Sequence, residues 1–267
     1  MMWFSLLATT FLMASAWPLS SLSFNPSAAD MRVIPRSHSI LQEQGPTNAK
    51  RFAKGLTVTP KLPRVRPALP NLVTPRVELS GLLSQLTEGS LHISVASDGT
   101  SLGYISNALN SFGEYGPATS GQNLKVKVDI TAMGPISIAT LNGQESDLPY
   151  MVGIAGFAND ASGLHPGQWN YVYIGAGGET VMGSPPRTGD NSFTRATGNP
   201  EAIESVIFTL RPTLDVVPVW VNGDGSKVAT FLGIYENVLF ITGDQDSFTR
   251  TFGPATWVTM TFEPVFN

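Results

Sequence analysis

The chain predicts an all-β protein, an antiparallel β-sandwich of jelly-roll type with about eleven short strands. Three observations point there. Leu124–Ile130 (LKVKVDI) alternates strictly, with Leu124, Val126, Val128 and Ile130 on one face and Lys125, Lys127 and Asp129 on the other. Val216–Val221, Val228–Ile234 and Val238–Thr242 are β-branched and aromatic runs, separated by the turn clusters Asn222-Gly223-Asp224-Gly225 and Glu236-Asn237. The first of these runs is apolar on both faces, so a second layer is expected to cover it.

Taken in order, Met1–Ala16 carries an uncharged apolar run ending in Ala14-Ser15-Ala16, the pattern of a secretory signal peptide. Secretion into the extracellular space is the expected localisation. No later apolar run is long enough to span a bilayer, so no membrane partner is expected. Residues 17–88 read as a basic, Pro-rich, structureless leader or propeptide, with the dibasic pair Lys50-Arg51 as its expected processing point. Val77–Leu86 could form a short amphipathic helix, weakened by Gly81. The folded sandwich domain is expected over residues 89–267. It contains no cysteine, so its core must suffice without disulfides.

Charge divides the same way. Nine Lys/Arg stand against the single Glu43 between Met31 and Arg76, whereas the remaining seven of the 16 basic residues face eighteen of the 20 acids from Val77 onward. An acidic domain lacks the cationic surface that nucleic acid or an anionic membrane requires.

Within the domain, Leu91–Ala96 and Leu102–Ile105 form a hairpin about Asp98-Gly99, followed by a long loop from Ser106 to Gln122. Further strands are expected at Ile136–Leu141, Tyr150–Phe157, Trp169–Ile174, Ile203–Leu210 and Thr256–Phe262. Thr188–Arg195 (TGDNSFTR) echoes Thr242–Arg250 (TGDQDSFTR) with one residue inserted. Each copy should place an Asp, Asp190 or Asp244, as the cap of a short helical turn anchored by Phe193 or Phe248.

With Leu102–Asn107 (LGYISN), Phe112–Gly116 (FGEYG), Ile154–Phe157 (IAGF), Tyr171–Gly175 (YVYIG) and the leader stretch Thr47–Gly55, the chain resembles a group of small secreted proteins from mushroom-forming fungi. The resemblance implies secretion and a fungal source, and it carries over no catalytic residue.

Several residue sets could carry chemistry. Gly99–Gly103 fits the G-x-S-x-G pattern around Ser101, but a nucleophile elbow needs a following helix and a later histidine. Here a hairpin follows, and His165 is the sole downstream histidine. His92 and His165 lack zinc-ligand spacing. Asp224, Asp244 and Asp246 offer hard oxygens that would suit calcium as an optional cofactor, although turn and cap chemistry explains them equally. Glu114, Glu145, Asp147, Glu204 and Asp215 are the acids from which a glycosidase pair would be drawn, with Glu114 and Glu204 the first choices. Trp169, Tyr171 and Tyr173 share a strand face and, with Trp220, would make a ligand-binding strip for a sugar if that face met solvent; otherwise they are core. The leading expectation is a non-catalytic extracellular module for glycan or cell-wall material. The alternatives are a secreted hydrolase with an acidic pair and a structural or host-interaction protein.

Overall fold

The computed structural model describes residues 22–32, 85–160 and 163–265. Lys50-Arg51 and nearly all of the proposed Val77–Leu86 helix lie outside them. Alternation of apolar and polar residues produces fifteen strands among the described residues: β1 Leu86–Val95, β2 Ser101–Tyr104, β3 Lys125–Asp129, β4 Pro135–Ile136, β5 Ile138–Thr140, β6 Tyr150–Ala155, β7 Tyr171–Gly177, β8 Arg187–Thr188, β9 Ala202–Glu204, β10 Phe208–Leu210, β11 Val216–Val221, β12 Lys227–Ala229, β13 Phe231–Tyr235, β14 Val238–Thr242 and β15 Thr256–Pro264. Two short helices, α1 Ser192–Thr197 and α2 Gln245–Phe252, complete the set.

The all-β expectation holds, but the large sheet is a barrel and not one leaf of a sandwich. Its order β5-β3-β1-β15-β13-β14-β7-β6 returns on itself because Ala139 of β5 pairs with both Lys127 of β3 and Tyr150 of β6. Every strand pair is antiparallel, and closure leaves none of these eight strands as an edge. β2 adds to β1, and β9 with β8 peels away along the second half of β6.

A second sheet, β12-β11-β10-β4, draws on the same runs of chain. Three stretches that read as single strands each divide between the two sheets, breaking at Ser137, between Glu204 and Phe208, and at Thr230. At the last break the Thr230 hydroxyl donates to the Pro218 carbonyl, 2.6 Å away, holding the corner. Ile207, Phe208, Val216 and Trp220 from this part of the chain join Leu91, Ile93, Val126, Ile174, Leu239 and Phe262 in one buried cluster, the barrel interior. The fit is close. A Cβ on Gly153 would lie within 3 Å of Trp220, Ile207 and Val172, so the residue must be glycine for the Trp220 ring to seat.

A second buried layer covers the outside of the barrel at β6, β7 and β14. Residues of these strands alternate, so Val172 and Ile174 face inward while Tyr171 and Tyr173 face out. The two echo segments form α1 and α2 and lay Phe193 and Phe248 onto this outer face, both fully buried. Asp244 caps α2 as expected, accepting from the Ser247 amide at 2.8 Å. In the first copy the cap is Asn191 and not Asp190: its Oδ1 accepts from the Thr194 amide, and Asp190 is turned outward to Arg195. The cap therefore stands two residues before its anchor in the first copy and four before it in the second.

The third component of the outer layer comes from the leader. Leu22–Arg32, expected to be structureless, packs against the barrel with Phe24, Asn25 and Pro26 buried. The folded body also starts earlier than residue 89, since Leu86–Glu88 pair with β3.

Candidate functional site

The proposed aromatic strip is not an exposed row. Tyr171 and Tyr173 are fully enclosed, Trp220 is 3% exposed in the barrel interior, and Trp169 precedes β7, half-buried, with its indole N–H enclosed. The period-two reading is right for the two tyrosines. Their face is covered because its neighbours Val152, Ile154 and Phe240 are apolar too and attract a second layer.

Asp224 and Asp244 are engaged with backbone amides. Asp224 accepts from the Ser226 amide within its turn, Asp244 accepts from the Gly167 and Ser247 amides, and Asp246 lies in the first turn of α2. Among the described residues no three His, Asp or Glu side chains converge as metal ligands.

One contact escaped the sequence reading. His92 Nε2 lies 2.7 Å from Ser101 Oγ, because the β1–β2 hairpin brings the upstream histidine across to the serine. The signal was the hairpin register itself. The other ring nitrogen faces the Ser94 hydroxyl at 3.4 Å, no carboxylate among the described residues orients the imidazole, and the Gly103 amide donates to the serine oxygen. The pair sits on an open strand face and lacks the oriented base of a hydrolytic triad.

The acids fall into three groups. Glu145, Asp147 and Asp190 surround Arg195 on the surface. Glu204 is buried in β9 and accepts from the Val221 amide; burial raises its pKa to about 7. Glu114 is buried in the long loop, accepting from the Asn110 and Asn25 side chains, and is likewise raised to about 7 by burial. Glu114 and Glu204 do not share a cleft, so they do not form the acid pair proposed for them.

One open cleft lies at one end of the barrel. Antiparallel pairing brings the end of β6 beside the start of β7, and there Phe157, Asp160, Pro186, Glu201, Trp220 and Gly223 line a cleft of about 390 Å³. Asn222 braces its rim: the side-chain oxygen accepts from the Leu164 amide at 2.8 Å and the side-chain nitrogen donates to the Leu164 carbonyl at 3.0 Å, tying the β6–β7 loop to the β11–β12 turn. Glu201, missed by sequence reasoning, is the distinctive group. Its pKa is pushed up to about 7 by burial alone, and no donor from the described residues reaches its carboxyl. Its signal was weak, a single acid between Pro200 and the apolar pair Ala202-Ile203.

A second cleft of about 320 Å³ opens where β13 and β15 part after only two residue pairs, Gly233–Trp257 and Ile234–Thr256. Phe231, Trp257, Met260 and Pro218 line it, with Arg211 and Asp215 beside them, and it holds no desolvated, unpartnered carboxyl.

No protein-family model matches the chain, and neither a curated protein nor a solved structure is significantly similar to it.

Proposed function

We propose that the protein is a secreted, non-catalytic binding module that takes a glycan of extracellular or cell-wall material into the barrel-end cleft. The observation that carries the reading is Glu201. A half-buried carboxyl in the cleft wall that accepts from no donor among the described residues is free to accept from a ligand, and sugar hydroxyls are suited to donate to it. Phe157, half-buried in the same cleft, offers an apolar ring face against which the C–H side of a pyranose packs. The negative charge of the domain favours a neutral or cationic sugar polymer over an anionic one.

Isothermal titration with chito-oligosaccharides and β-glucan oligosaccharides tests this. Glu201→Gln is expected to weaken binding about tenfold, and Phe157→Ala by about 10- to 100-fold. Unchanged affinity in both variants would remove the cleft from the reading.

The hydrolase reading is supported by one feature, the placing of Glu201 beside Asp160 in one cleft. A carboxyl that stays protonated near neutrality is suited to act as a general acid. It predicts release of reducing sugar from the same oligosaccharides, abolished in Glu201→Gln, whereas a binding module returns them intact.

A further inference from the structure

The outer aromatic layer is completed by a piece of chain that does not belong to the barrel. Phe24 is 3% exposed, stacked on Tyr171 with centroids 4.6 Å apart and met edge-on by Tyr173 and Tyr235, each at 5.1 Å. Phe240, Phe248 and Phe252 close the ring of contacts at 5.8–5.9 Å. Both tyrosine hydroxyls donate to the Phe24 carbonyl, so the socket reads backbone as well as side chain. Farther along, the Arg32 amide donates to the Thr197 carbonyl at 2.7 Å and the Asn199 side chain donates to the Asp30 carbonyl at 3.2 Å. Gly198, with φ 76°, permits that approach, since a Cβ there would collide with the Arg32 carbonyl.

The polar end of the socket shows how the grip is set. Asn25 Nδ2 donates to Glu114 Oε2 at 3.2 Å. The remaining oxygen of each group, Asn25 Oδ1 and Glu114 Oε1, is buried without a partner. Two acceptors cannot satisfy each other, but one proton on Glu114 Oε1 lets the carboxyl donate to Asn25 Oδ1. That proton would complete a cyclic acid–amide pair, leaving no unpartnered oxygen in either group. The charged group acting on Glu114 from a neighbouring element is Glu236 of the β13–β14 turn, an acid that disfavours ionisation. Asn110 Nδ2 donates to Oε2 at 2.7 Å and leaves Oε1 untouched.

We propose that Leu22–Arg32 is a detachable peptide ligand of the barrel, recognised through Phe24 and Asn25, retained after the intervening chain is cut, and released when Glu114 loses its proton. The aromatic socket is therefore a peptide-binding site whose ligand class is a short bent segment bearing Phe-Asn-Pro, supplied here by the same chain. Residues 33–84 separate ligand from socket, and the dibasic pair Lys50-Arg51 lies between them. Cleavage there would turn an intramolecular contact into a complex of two chains, held without the advantage of the tether. The direction of the pH effect follows from Glu114. Burial raises its pKa to about 7 with the segment in place, outweighing the lowering by the Asn110 and Asn25 hydrogen bonds. Departure of the segment would readmit water and bring the acid back toward its ordinary value, so the docked state takes up a proton and is favoured in acid.

The test uses the full chain with a specific protease site inserted at Lys50-Arg51, cut after purification and passed over a sizing column at pH 5 and pH 8.5. The N-terminal fragment is expected to co-elute with the barrel at pH 5 and to bind about 30- to 100-fold more weakly at pH 8.5. Glu114→Gln presents a neutral amide in place of the protonated acid and should retain the fragment equally at both pH values. A labelled synthetic peptide spanning Leu22–Arg32 should displace the fragment from the cut wild-type protein, and the same peptide with Phe24→Ala should do so about 100-fold less well. Because that change is in the peptide, the barrel's own folding does not enter the readout. Loss of the fragment at pH 5, or equal displacement by both peptides, overturns the proposal. Persistence of the pH effect in Glu114→Gln overturns the role given to the acid–amide pair.

Discussion

The two faces of the barrel wall at β6, β7 and β14 are buried to the same extent and built differently. The inner face is mainly aliphatic, with Met151, Val172, Ile174, Leu239 and Ile241, and it is sealed by strands hydrogen-bonded on both sides. The outer face sets the aromatics Tyr171, Tyr173 and Phe240 among Val152, Ile154 and Val238, and its cover, two short helices and the remote Phe24–Pro26, is mainly aromatic. Burial of a side chain therefore says little about what must break to expose it. Exposing the interior requires opening the barrel, whereas uncovering the part of the outer layer beneath Phe24 requires only that a short segment leave, a local event of much lower free energy.

The sharpest way to break this distinction is to truncate one large ring on each face. Trp220 and Phe24 are each 3% exposed. Trp220→Ala leaves a cavity inside the barrel and is expected to cost about 3–5 kcal/mol, lowering the whole thermal transition. Phe24→Ala should cost the global fold less, because the loss is capped by the free energy with which the segment docks. Its effect should appear in hydrogen exchange as lost protection at the Arg32 amide, with barrel amides unchanged. Equal drops in melting temperature for the two variants would make the wall one cooperative unit.

A smaller effect sharpens the comparison through pH. Glu114, within reach of the outer layer, has a folded-state pKa of about 7 against an ordinary 4.5, so the native state binds its proton more tightly than the unfolded chain does. The stabilisation is complete below about pH 4.5 and is lost as the pH rises through 7, by on the order of 3 kcal/mol. Thermal melts from pH 4.5 to 8 should show this decline in wild type and a shallower one in Glu114→Gln. Some slope should persist in the variant, because Glu201 and Glu204 are raised in the same direction. Trp220→Ala should keep the Glu114 share of the slope, since it does not alter the cover over Glu114, and lose only part of the share from Glu201 and Glu204.

The origin of the two faces also explains what could be read in the sequence. Alternation places Tyr171 and Tyr173 opposite Val172 and Ile174 without any structure, and it locates nearly every strand. It does not say which strand lies beside which, because a barrel and a sandwich impose the same inside–outside period. That is why the closing β5–β6 pair was not legible, and why Ile136–Leu141, Ile203–Leu210 and Val228–Ile234 read as single strands although each serves two sheets. The cover over the tyrosines was invisible for a related reason. Phe24 stands in a leader whose composition is that of structureless chain, and one apolar residue there has no periodic neighbours to mark it. Glu201 shows the same limit at the cleft, since nothing local distinguishes a desolvated acid from a solvated one.

The smallest expected effect lies at the rim of the outer layer, where α1 holds Arg195 among three carboxylates. Its guanidinium donates to Glu145 at 2.8 Å, to Asp147 at 2.8 Å and to Asp190 at 2.5 Å. The contacts are close, yet the arginine side chain is a third exposed and Asp147 and Asp190 are largely in solvent, so the attraction is screened. Arg195→Ala also leaves three like charges facing one another, which should bring the loss to about 1 kcal/mol at low salt. At 1 M salt the screening length falls to about 3 Å and most of that loss should disappear. Paired melts at the two salt concentrations measure the difference. A loss above about 2 kcal/mol that does not respond to salt would mean that the arginine acts through the packing of its stem on α1, making the rim an extension of the apolar layer beneath it.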